Sequence, residues 1–207
     1  MFYPADLEVR KRKDGSRIVR GRFPYNRRAV LTDGGNTGRP VKEVFKPKSF
    51  TYRIDIPTEE IHLLVGHDYD KPLASKLNGT LSFKDTAAAL LIEAVITPQV
   101  LQTSYARDTL ALIAAGLAVG LSPGFRIPPK RTVPNAETYE DEDPSEGRAK
   151  IRTINDALLY EMSVVTRPAY SESIVEADED EDEEEEDEDA IPVARKRSII
   201  LPSYRWR

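Results

Sequence analysis

The chain contains no cysteine. That excludes disulfides, thiolate zinc ligands and thiol nucleophiles, and it fits a reducing compartment. Histidine is almost as scarce, with only His62 and His67 present. Zinc takes three or four ligands, and an i, i+5 pair on one strand points to opposite faces. No metal site and no cofactor is therefore expected. No apolar run approaches the length of about 20 residues that crosses a bilayer as a helix, so no membrane association is expected. The opening residues, MFYPADLEVRKRKDG, have neither the apolar stretch nor the small-residue cleavage site of a secretory signal. No phosphate-binding GxxxxGK motif is present and no GxGxxG opens a helix, which leaves nucleotide binding without a motif.

Charge is plentiful but unevenly placed. Residues 178–189, DEDEDEEEEDED, are twelve consecutive acids, and residues 191–207, IPVARKRSIILPSYRWR, carry five Lys/Arg and no acid. Removing both segments from the net charge of −5 leaves +2 on the remainder. Adjacent like charges repel and bury nothing, so the sequence predicts a disordered acidic tail over 177–207 with a short basic and apolar C-terminus. Residues 1–16 read as a flexible N-terminal segment. The domain proper is expected over 17–176, with a mobile loop near 130–150. Basic stretches such as VRKRK (9–13) and RGRFPYNRR (20–28) suggest nucleic-acid contact, which steep salt dependence would reveal. A body near neutrality and an acidic tail oppose that reading, and no specific nucleic acid is expected.

Between those ends, strand patterns dominate. Residues 17–32 read as one or two strands broken near Pro24-Tyr25-Asn26, and 43–50 as an irregular connection. Residues 60–67 read as a strand, with Ile61, Leu63, Val65 and His67 on one face. Residues 79–97 read as a hairpin turning near Lys84-Asp85. A helix is predicted from about 98 or 104 to Ala115, with Gly116 as its stop. In GLAVGLSPGF (116–125), Leu117, Val119, Leu121 and Pro123 face one way; Ala118, Gly120, Ser122 and Gly124 face the other. Residues 151–170 return to strand, with Leu159, Glu161, Ser163 and Val165 sharing a face. The fold class predicted is β-dominated α+β: a closed or nearly closed barrel flanked by one or a few helices.

With thiols and metals gone, hydrolytic chemistry is left to a hydroxyl and an imidazole. Serine needs a neighbouring base to take its proton, and that base needs a third group to hold its tautomer. Ser122 sits among small residues that admit another chain. His67 ends a strand and enters the polar loop HDYDKP, whereas His62 lies inside the strand. Glu161 is a lone acid in an apolar strand and requires a partner there. The chain order His, Ser, Glu matches none of the three familiar orders of the Ser-His-acid triad. By residue type alone, this triad and ordinary packing uses of the same residues both stay open.

Four stretches carry a resemblance. EVFKPKSF (43–50), LLVGHDYDKPLAS (63–75), GLAVGLSPGF (116–125) and LLYEMSVVTRPAY (158–170) resemble, in order, segments of the HK97-type prohead proteases of tailed bacteriophages, related in fold to herpesvirus assemblin. The resemblance implies a serine endopeptidase of capsid maturation, acting in the host cytoplasm inside the immature prohead. Its expected partners are the major capsid protein, whose scaffolding segment it cleaves, and the protease itself. Ser122 is then the nucleophile, His67 the general base and Glu161 the third member, where the herpesvirus relatives use a second histidine. Pro123, directly after the nucleophile, departs from the family pattern and has no N–H to donate. The oxyanion donors implied instead are Gly124 or the backbone around Thr166 and Arg167. The alternative is a catalytically inactive scaffold or assembly protein with the same fold, a reading that Pro123 encourages.

Overall fold

The computed structural model describes residues 7–35, 38–118 and 120–170. In chain order its strands are β1 (Leu7–Lys11), β2 (Arg17–Pro24), β3 (Arg28–Thr32), β4 (Val41–Phe45), β5 (His62–Val65) and β6 (Asp68–Ser75). The second half adds β7 (Leu81–Asp85), β8 (Ala89–Ile96), β9 (Gly120–Arg126), β10 (Glu137–Asp141), β11 (Lys150–Ile154) and β12 (Leu158–Val165). The helices are α1 (Thr51–Asp55) and α2 (Ser104–Ala114), the latter preceded by a 3-10 turn at Val100–Gln102.

Local rules account for several of these. In β8, Leu90, Ile92, Ala94 and Ile96 are buried while Leu91, Glu93 and Val95 are less so, the period-two pattern of a half-buried strand. α2 begins at Thr103, whose side chain accepts from the Ala106 N–H, and buries Ala106, Thr109 and Ile113 on one face. It stops where Gly116 takes φ +69°, a left-handed conformation natural to glycine.

The strands form three four-stranded sheets, in the orders β1-β2-β8-β7, β10-β11-β4-β3 and β6-β5-β12-β9. None closes on itself among the described residues, so the single barrel expected from the sequence is replaced by a β-dominated α+β arrangement of three open sheets. The corner after β2 shows why. The Tyr25 N–H bonds to the Ala88 carbonyl, beside the first sheet, and the next N–H, of Asn26, bonds to Phe45 in the second. Asn26 has φ +56° there, so the chain turns out of one ladder into another instead of extending a common one. Aromatic packing joins what the ladders do not. Phe45 of β4 lies 5.3 Å from Phe23 of β2 and 4.9 Å from Phe125 of β9, measured between ring centroids. Phe50 and Tyr170 complete the cluster, and each such pair adds roughly 0.5–1.5 kcal/mol beyond its buried area.

Several elements depart from the sequence reading. β1 pairs with β2 inside the segment read as flexible. β4 takes in residues 43–45 of the irregular connection predicted at 43–50, because Val44 and Phe45 are buried and the strand is paired on both sides. β6 stands where the polar loop HDYDKP is expected. β10 lies within the stretch read as mobile; it is an edge strand whose side chains are mostly exposed, which gives it a loop-like composition. Residues 151–170 hold two strands, β11 and β12, in different sheets. Leu117 is 60% exposed, capping α2 instead of lying on the apolar face of β9. Val119 and the acidic tail predicted over 177–207 lie outside the described residues.

Candidate active site

The third sheet brings together residues far apart in sequence. β12 is its pivot, parallel to β5 on one side and antiparallel to β9 on the other. Across β9, Ser163 faces Ser122 and Glu161 faces Gly124; across β5, Glu161 faces His62. Directly opposed residues project from the same face of a sheet, so Ser122, Gly124, Glu161 and Ser163 share one surface.

His67 reaches that surface from a turn, not from the strand face predicted for it. β5 and β6 are joined through Gly66 and His67, with φ +60° and +64°, and Val65 pairs with Asp68. Two successive left-handed residues are the signature of a type I′ hairpin. Such a φ costs a non-glycine residue of order 1–3 kcal/mol and persists only where its surroundings hold it. Here the Gly66 N–H donates to Val164 O at 3.0 Å and the His67 N–H donates to Ser163 Oγ at 2.8 Å.

The imidazole then spans the gap between the other two side chains. Nδ1 lies 2.6 Å from Glu161 Oε1 and Nε2 lies 3.1 Å from Ser122 Oγ. An ionised carboxylate only accepts, so the ring proton belongs on Nδ1, which leaves the Nε2 lone pair facing the serine hydroxyl. Glu161 is 3% exposed, and a carboxylate so buried must be satisfied. Its second oxygen accepts from Ser163 Oγ at 2.7 Å. Ser163, fully buried, thus grips both the Glu161 carboxylate and the His67 backbone. The sequence reading placed Ser163 on the face of Glu161 but assigned it no role; the period-two spacing was the available signal.

A bulge explains how Glu161 comes to face this site. Leu159 pairs with Phe125 and Glu161 with Gly124, so Tyr160 is one extra residue in β12. The insertion flips the alternation. Leu159, Met162 and Val164 all enter the core, whereas Glu161 and Ser163 face the site. Leu159 and Glu161 therefore do not share a face, as unbroken alternation predicted. Gly124 has to be glycine because a Cβ there would run into the Glu161 carboxylate. Gly120, two residues before Ser122, is held as closely by the Pro168 ring.

The remaining residues fall nearby. Thr166 and Arg167 are exposed just past the pairing of Val165 with Gly120, at the entrance of β9. His62 stays on β5, its buried Nδ1 without a hydrogen-bond partner and its ring edge-on to Tyr69. A hollow of about 480 Å³ on the outer face of the first sheet, lined by Arg20, Arg22, Phe83, Lys84 and Leu91, contains none of the site residues. No described helix is long and apolar enough to cross a membrane.

No curated protein and no solved structure matches the chain. The sequence profile of the Caudovirus prohead serine protease family matches residues 6–188.

Proposed function

The chain belongs to the Caudovirus prohead serine protease family, and from that premise we propose that Ser122 is its nucleophile, His67 its general base and Glu161 the acid that orients the base. The family makes the protein a serine protease of capsid maturation. The observation that carries the assignment is the unbroken contact line from Ser163 through Glu161 and His67 to Ser122, with gaps of 2.7, 2.6 and 3.1 Å.

The chemistry follows from that line. His67 Nε2 takes the Ser122 proton as Oγ attacks a peptide carbonyl, and Glu161 stabilises the imidazolium that results. The imidazolium gives its proton to the leaving amine. A water, deprotonated by the same nitrogen, then releases the acyl group from Ser122. The tetrahedral oxyanion needs donors about 2.7–3.1 Å away. Pro123 supplies none, so the role falls to the N–H of Gly124 or to the backbone at Thr166 and Arg167.

The substrate is the scaffolding segment of the major capsid protein, with the chain itself as a second substrate, inside the immature head. β9 ends its sheet, and an extended segment laid along its free edge would pass Ser122 by strand addition. Intact mass spectrometry of wild type and Ser122→Ala, each alone and co-expressed with the capsid protein, tests this reading. Truncation of either chain that disappears in Ser122→Ala supports it. Identical masses with assembled capsid protein present would favour a non-catalytic assembly protein.

A further inference from the structure

Glu161 meets His67 only because of the extra residue at Tyr160, and one side chain from outside the sheet grips that bulge. Arg53, on α1, donates from Nε to the Leu159 carbonyl at 2.7 Å and from Nη2 to the Glu60 carbonyl at 2.8 Å. Its guanidinium carbon lies 4.1 Å above the centroid of the Tyr160 ring, and Nη1 pairs with Glu59. The side chain is 12% exposed, and every one of these partners sits at the bulge or at the entrance to β5.

The two carbonyls belong to two neighbouring strands. β5 and β12 run parallel from the rung His62–Glu161 onward. Just before that rung Tyr160 interrupts β12, and the guanidinium supplies donors to both strands at the point where the ladder begins. β5 leads directly into the His67 turn, and β12 carries Glu161. Arg53 is itself fastened: Lys76 Nζ donates to the carbonyls of Arg53 at 2.8 Å and Ile56 at 2.6 Å.

We infer that Arg53 is a positioning residue of the active site, a planar fork that sets the offset between the strand delivering the base and the strand delivering the acid. The inference rests on the reading of Glu161 as the acid of the triad. A lysine keeps the charge but has no planar fork to hold two carbonyls at a fixed offset. A misplacement near 1 Å costs catalysis about 100-fold.

The test uses the full chain as wild type, Arg53→Lys and Arg53→Gln, with Ser122→Ala and Glu161→Gln as references. The probe is a fluorophosphonate: Ser122 Oγ forms a bond to phosphorus, fluoride leaves, and His67 accepts the hydroxyl proton. Labelling rate is read beside thermal melting and the downfield proton resonance of His67 Nδ1–H. The expected result is a folded Arg53→Lys or Arg53→Gln that labels about 100-fold more slowly, with the His67 resonance displaced or broadened. Labelling at the wild-type rate with an unchanged resonance, in either folded variant, overturns the inference. Failure of the underlying triad is distinct: Glu161→Gln would label like wild type, or wild type would not label at Ser122.

Discussion

Glu161 Oε1 occupies the space that a Cβ on Gly124 would need, across the ladder between β12 and β9. The smallest side chain in β9 is therefore a condition for the placement of the Glu161 carboxylate. Gly124→Ala forces the carboxylate away from His67. Overpacking of this kind costs roughly 1–3 kcal/mol of stability, and the displaced acid lowers activity about 100-fold. Fluorophosphonate labelling and a denaturant melt on the same sample check both numbers; an alanine variant as reactive as wild type would show that the acid has room to spare.

Removing the grip of Ser163 acts on Glu161 and His67 together. Ser163→Ala deprives Glu161 of one donor and leaves the His67 N–H without its acceptor. An unsatisfied buried group costs about 1–3 kcal/mol. The expected outcome is a lower urea midpoint together with slower labelling of Ser122. Loss of stability with no change in labelling would confine Ser163 to a structural part.

Glu161→Gln separates charge from shape. An amide of nearly equal size presents either a carbonyl or an NH2 to Nδ1 and cannot stabilise an imidazolium as a carboxylate does. The expected fall in turnover is about 10⁴-fold, the scale found when a triad acid becomes an amide. Measuring kcat and KM on a cleaved capsid segment decides this, with the loss expected in kcat. A fall confined to KM would argue for a binding role.

Away from the site, Tyr170 fastens the end of the described chain. Its hydroxyl donates to Glu43 Oε1 at 2.8 Å, and Glu43 also receives Arg152 at 2.8 Å. Burial and the Glu43 carboxylate push the Tyr170 phenol well above its ordinary range, so it keeps its proton throughout the working range of pH. Tyr170→Phe loses a hydrogen bond to a charged group, about 1.5–3 kcal/mol. At roughly 2–4 °C per kcal/mol for a protein of this size, the melting temperature drops by several degrees while labelling of Ser122 stays unchanged. An undiminished melting temperature would contradict the assignment.

Acid stability should report on Glu60. Burial pushes its carboxyl up, but the Ser75 hydroxyl and the N–H groups of Leu77 and Ile61 outweigh it, and the net shift is downward. The unfolded chain then binds this proton more readily than the folded one. The stabilisation is present above the unfolded carboxylate value of about 4.3 and is lost as pH falls through the lower, folded value. Glu60→Gln removes that contribution, so its urea midpoint should change less than wild type's on acidification through that window. Parallel midpoints would refute the claim.

Much of this was visible in residue order. The hairpin predicted at 79–97 appears as β7 and β8, and the helix ending at Gly116 appears as α2, because both depend on neighbours within a few residues. The same locality misled at 158–165. Alternation put Leu159 with Glu161, and no local signal marks Tyr160 as an inserted residue until β9 is paired beside it.

By itself the sequence determined the chemical inventory: no thiol, two imidazoles, a serine among small residues at 122 and an acid in an apolar strand at 161. Those facts depend only on residue type and near spacing. Only the tertiary structure decided how the inventory is assembled. The left-handed turn that lifts His67, the bulge that turns Glu161 outward and the corner at Asn26 that parts the sheets each depend on contacts between distant segments. A period-two pattern carries no record of its partner strand, so register, and with it the meeting of Ser122, His67 and Glu161, is settled only when the strands pair.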